Sequence, residues 1–198
     1  GPRSALIFHK KQLNVEEKIN SAVFPGLQGG PHNHQIAAVA VALKNAHQPE
    51  FKEYIQQVKK NARVLSDALQ EKGYKVMTNG TDNHLILLNI REKGITGSKI
   101  EKILDMVKVT VNKNTILGDK NALVPGGIRI GTPACTSRGM KEAEFIWIAD
   151  VIDWCIQEAL RIQEVSGKKM VDFVKECVQS EMLREIEKEI YNRAKQFI

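Results

Sequence analysis

Residues 126–139 read GGIRIGTPACTSRG, and this stretch constrains the chain more than any other. Ile128 and Ile130 flank Arg129 in strand alternation, so the two isoleucines face one way and the guanidinium faces the other. Glycines at 126, 127 and 131 clear side chains from around the arginine, so a small molecule can approach closely. Pro133 ends the strand, and Arg138 adds a second, supporting cation. An arginine fork grips a carboxylate through two parallel hydrogen bonds, which a lysine cannot do. The residues alone leave two readings open: an arginine offered to a ligand, or a strand arginine paired with a buried acid.

Around this strand, helical and extended patterns alternate. Residues 4–9 contain a continuous apolar run, Ala5 to Phe8, and predict a short buried strand. Residues 15–23 suit a short helix, followed by a loop punctuated by glycine and proline over 24–31. Pro31 suits the first turn of the next helix, which runs to about residue 46. That helix is nearly uncharged over 36–43 and is expected to be buried on most sides. The character changes at 47–49, and we place a domain boundary there, separating 1–47 from 48–198.

A long helix follows, carrying Phe51, Tyr54, Ile55, Val58, Ala62, Leu65 and Leu69 at helical spacing and ended by Gly73. Strands are expected at 75–77, 84–90 and 109–111, with a helix between the last two begun by a Ser98-x-x-Glu101 capping box. A long loop over 112–126 leads into the Arg129 strand. Two or three helices fill 138–198, the first lined on one face by Phe145, Ile148, Ala149, Ile152, Ile156 and Leu160. Strands alternating with helices, then a helical tail, indicate an α/β layer domain. There are no internal repeats and no low-complexity stretches.

Several function classes drop out. The longest apolar run, 36–43, is far too short to cross a bilayer, and no secretory apolar region follows the first residue. Cys135, Cys155 and Cys177 stand apart with no metal spacing and read as reduced structural thiols of a cytosol-like compartment. The 29 basic and 23 acidic residues leave a formal +6, but the basic residues are spread along amphipathic helices. That distribution reads as a solvated surface and not as a nucleic-acid patch, although it could attract polyanions such as folate polyglutamates. His32, His34 and His84 lack acidic or thiolate partners at ligand spacing, so hydrogen bonding, not metal binding, is expected of them.

The wording of several segments narrows the choice. GPRSALIF (1–8), SAVFPGLQGGPHNHQIAA (21–38), GTDNHLILLNI (80–90), VTVNKNTILGDKNALVPGG (109–127) and GGIRIGTPACTSRG resemble serine hydroxymethyltransferases, in the family's order and over nearly the whole chain. The resemblance implies an aspartate-aminotransferase-like fold of the pyridoxal-phosphate fold type I class: the end of the large domain, then the small C-terminal domain. It implies pyridoxal 5'-phosphate as cofactor, serine and glycine as substrates, tetrahydrofolate as one-carbon acceptor, and a homodimer with shared active sites.

By the same resemblance, Arg129 holds the substrate carboxylate and Arg3 lies near the cofactor ring. Gln28, Gly29 and Gly30 donate backbone N–H groups to the cofactor phosphate of the neighbouring subunit. Phe24 and Asn114 line the folate site, Asn114 meeting the pterin edge. The family's imine-forming lysine lies just before Gly1, so this chain resembles the C-terminal portion of a longer enzyme and is expected to be inactive alone. A cytoplasmic location is expected, with mitochondrion and plastid left open. Rival readings remain: a non-catalytic dimerisation or partner-binding domain, an aminotransferase or threonine aldolase of the same fold, and RNA binding through the basic surface.

Overall fold

The computed structural model describes residues 1–197 and divides into two units, Gly1–Glu53 and a larger one from Tyr54 onward. The smaller unit holds helix α1 (Glu16–Ser21), an irregular turn through Ala22–Leu27 with a cis Phe24–Pro25 bond, and helix α2 (Asn33–Ala46). None of its residues is buried. The strand expected at 4–9 does not form: the segment is irregular, and Phe8 is 88% exposed. A strand needs a neighbour to take its N–H and C=O groups, and no described strand lies in this unit. Helix α2 forms because its hydrogen bonds are internal, yet Ile36, Val41 and Leu43 stay exposed instead of buried as expected.

The division between units falls inside helix α3 (Pro49–Glu71). Pro49 opens this helix, where its missing N–H costs nothing, and Gly73 at φ 78° turns the chain back beyond its end. Strands β1 (Lys75–Val76), β2 (Leu85–Asn89), β3 (Asn112–Asn114) and β4 (Gly127–Gly131) form one sheet in the order β1-β2-β4-β3, antiparallel throughout. Between β2 and β3 runs helix α4 (Gly97–Met106). After β4 come a short helix α5 (Pro133–Ser137), the long helix α6 (Glu142–Ser166), then α7 (Met170–Gln179) and α8 (Glu181–Ala194).

One sheet face is packed. Val76, Ile86, Leu88, Ile128 and Ile130 join a single core with residues of α3, α4 and α6, Leu65, Ile103 and Ile152 among them. The antiparallel sheet can therefore leave its other face open. Asn61 of α3 is fully buried and donates to Thr136 Oγ1 (2.9 Å) and the Met140 carbonyl (3.1 Å), while Thr132 Oγ1 donates to the Val58 carbonyl (3.0 Å). These bonds tie α3 to the turn just after β4.

Two local expectations need correction. Helix α4 is capped by Thr96, whose hydroxyl accepts from Lys99 N, and not by a Ser98–Glu101 box. Ser98 Oγ is buried without a partner, and Glu101 accepts instead from the Lys113 backbone of β3 (2.9 Å). The strand expected at 109–111 forms three residues later, at β3, because that is where the backbone meets β4. Register is a tertiary property that a short apolar run does not determine.

Candidate active-site face

Arg129 is exposed at the middle of β4, between buried Ile128 and Ile130. It pairs in register with Leu87 of β2 on one side and Asn112 of β3 on the other. Residues directly opposite in an antiparallel ladder share a face. The guanidinium therefore stands on the open face with half-buried Leu85 and Leu87 and with Asn112 and Asn114, the last opposite Gly127. No carboxylate bridges it among the described residues.

The three glycines divide in role. A Cβ on Gly126 would lie 2.8 Å from Asp119 Oδ1, and one on Gly127 would lie 2.5 Å from Ile116 Cγ2 and 2.9 Å from the Leu88 carbonyl. Those two glycines let the loop over 115–126 close against the sheet; they do not clear a path for a ligand. Gly131 does leave space, since its Cβ would meet nothing nearer than Pro133 Cδ at 3.7 Å.

Asp119 holds that loop. Its Oδ2 accepts from Ile116 N (2.9 Å) and Gly126 N (2.8 Å), and its Oδ1 from Arg91 Nη1 (2.9 Å). Arg91 also donates to the Leu117 carbonyl (3.1 Å). Burial alone would raise the Asp119 carboxyl, but the two backbone donors and the guanidinium outweigh it and hold it below the usual carboxylate value. The loop thus starts β4 at a fixed point and sets where Arg129 emerges.

The other expected residues are more scattered. Arg138 follows α5 and is exposed, but it donates to the carbonyls of Ala194 (2.7 Å), the last residue of α8, and of Phe197 (3.2 Å), three residues beyond it. Its charge there meets the negative end of a helix. Asn114 Nδ2 donates to its neighbour, the Thr115 carbonyl (2.7 Å). Arg3, Phe24, Gln28, Gly29 and Gly30 lie in the smaller unit and are all exposed. His32 and His34 stack at 5.3 Å, and the His84 carbonyl accepts from Thr132 N (3.0 Å). No group of three or more His, Cys, Asp or Glu is placed to hold a metal among the described residues.

By sequence Asn112 and Asn114 suit a turn just after a strand, whereas the structure puts both within β3, with Asn112 facing the same side as Arg129. Its period of two with Asn114 was the available signal. The sequence did not mark Asp119, which joins two backbone N–H groups of its own loop to Arg91, 28 residues earlier.

A family model described as serine hydroxymethyltransferase matches residues 1–152, about three quarters of the chain. The chain belongs to that family. Serine hydroxymethyltransferase 4 of Arabidopsis thaliana is 46% identical over 96% of the chain, and the Plasmodium falciparum serine hydroxymethyltransferase is 47% identical over 98%. A cytosolic serine hydroxymethyltransferase of Candida albicans is 44% identical over all of it. The chain spans 43%, 45% and 46% of those three proteins, less than half of each. Membership brings the expected aspartate-aminotransferase-like α/β class, present among the described residues as a small antiparallel sheet with eight α-helices. No helix among the described residues is long and apolar enough to cross a membrane.

Proposed function

We propose that this chain supplies the amino-acid and folate recognition surface of a serine hydroxymethyltransferase that interconverts serine and glycine. The observation that carries the reading is Arg129, unbridged on an open sheet face that also bears Asn112 and Asn114. A carboxylate gripped by the Arg129 fork is held in orientation as well as in place, and orientation is a large part of what catalysis at an amino-acid Cα needs. Asn114 offers both donor and acceptor and so suits the edge of a pterin ring. Arg138 is the supporting cation of this reading, and it also donates to the Ala194 and Phe197 carbonyls.

The smaller unit suits pyridoxal 5'-phosphate. Gly29 and Gly30 have open space about their Cα atoms, and His32, the N-cap of the following α2, makes no side-chain cap bond. Uncapped N–H groups at a helix start favour an anion such as the cofactor phosphate. When bound, that cofactor supplies the electron sink for bond cleavage at Cα. In this reading 1–47 closes the large domain, 48–198 is the small domain, Arg3 and Gln28 also face the cofactor, and Phe24 faces folate. The apolar surfaces of 4–9 and α2 are then covered by the rest of a homodimeric enzyme, with active sites shared between subunits. Three free thiols accord with a cytoplasmic setting.

The test is Arg129→Ala in the longer enzyme carrying this chain. Losing a two-pronged charge-assisted contact weakens serine binding by about a hundredfold or more, with cofactor content unchanged. Serine affinity equal to the unmodified enzyme's would overturn the assignment.

A further inference from the structure

On the packed side of β4, away from Arg129, the larger unit contains a cavity of about 280 Å³. Its floor is apolar and fully interior: Leu65, Phe145 and Ile152 are each at most 1% exposed. Its mouth is basic. Lys108 and Arg138 line both the cavity and an adjoining surface groove, where Lys188 joins them and Glu187 stands opposite. Lys108 lies 3.7 Å from Glu187, a loose pair with 72% of the lysine side chain exposed. Arg138 donates its Nε and Nη2 to the Phe197 and Ala194 carbonyls, and no carboxylate bridges it among the described residues. One acid against these cations leaves the rim positive.

Protein interiors rarely keep voids larger than a water molecule, because unfilled walls forfeit dispersion contacts. This one would hold roughly nine waters by volume, yet its floor offers them nothing to bond. Apolar floor and positive rim together suit an amphipathic anion. We propose that the cavity binds an unbranched aliphatic carboxylate of about eight carbons, whose roughly ten non-hydrogen atoms match the volume. The tail lies against Leu65, Phe145 and Ile152, and the carboxylate sits at Lys108 and Lys188. This site is independent of the amino-acid reading of Arg129.

The chain is titrated calorimetrically with butanoate, hexanoate, octanoate and dodecanoate, and with octanol. The expected result is one saturable site whose affinity rises about fourfold per methylene up to octanoate and then levels off as the cavity fills. Octanol binds about tenfold more weakly, and Lys108→Gln/Lys188→Gln, which leaves the core untouched, brings octanoate down to octanol's affinity. Cys135 lines the cavity, whereas Cys155 and Cys177 are buried elsewhere in the core. Saturating octanoate therefore slows alkylation of Cys135. Absence of saturation, affinity independent of chain length, octanol binding as well as octanoate, or an unchanged Cys135 rate would each overturn the proposal.

Discussion

Replacing Asp119 by asparagine keeps the shape of the residue and removes its charge, so it isolates what the carboxylate contributes. The side chain is 5% exposed and accepts three hydrogen bonds, two from backbone N–H groups of the loop and one from Arg91. An amide can turn its oxygen to the two backbone donors, but its NH2 then faces the guanidinium. Two charge-assisted bonds become neutral ones, at about 1 kcal/mol each, and the third is lost. Arg91 is 48% exposed, so water replaces part of that third contact, and the total comes to about 2–3 kcal/mol.

With a urea dependence of about 2 kcal/mol per molar, the midpoint at pH 7 falls by about 1–1.5 M. Tryptophan fluorescence is the right probe, since the chain's two tryptophans, Trp147 and Trp154, both lie in α6 of the larger unit. The pH dependence supplies a second check. Because the folded carboxyl sits below its ordinary value, its stabilisation is complete above that value and is lost as pH falls through the folded one. Glu142, held near 2 by Lys60, and Glu158, lowered by Arg161, titrate in both proteins and cancel in the difference. The gap between parent and variant is therefore widest at neutral pH and narrows below about pH 4. A gap under about 0.5 kcal/mol at pH 7, or one that persists unchanged at pH 3, would refute the reasoning.

Three further substitutions probe the packing of the larger unit. Gly97→Ala places a Cβ 2.1 Å from the Gly127 carbonyl and is expected to cost about 3 kcal/mol or more, whereas Gly131→Ala, with 3.7 Å of clearance, changes urea stability by less than about 1 kcal/mol. Ser180→Ala removes the cap of α8 and the hydroxyl that donates to buried Glu158, and thermal unfolding is expected to show a loss of about 1–2 kcal/mol.

What could be read before folding was whatever the local period encodes. Phe145, Ala149, Ile152 and Ile156 fall on one helical face and are all buried in α6. Likewise the outward aim of Arg129 follows from the two isoleucines beside it, because side-chain direction in a strand depends only on the neighbours in sequence. Asn112 shows the limit. Its place opposite Arg129 depends on which residues of a distant segment pair with β4, and the apolar run at 109–111 gave no register. Gly126 and Gly127 mislead for the same reason: their Cβ positions are claimed by Ile116, Asp119 and a strand carbonyl, contacts invisible to spacing.

The smaller unit marks a different boundary. Residues 4–9 and α2 are as apolar as a core, yet every residue there remains at least partly exposed. Hydrophobic patterning states that a surface must be covered, not by what, and a helix can meet its own backbone needs while a strand cannot. That difference alone explains why α2 forms and the 4–9 strand does not. Exposed apolar surface on this scale is characteristic of an interface, and the family relatives are more than twice as long as this chain. Supplying the N-terminal half of a full-length family relative as a separate polypeptide is therefore expected to bury Phe8, order residues 4–9 into a strand and raise their amide protection. If those amides exchange freely in the reconstituted protein, the apolar run is not a core strand and its assignment to the large domain fails.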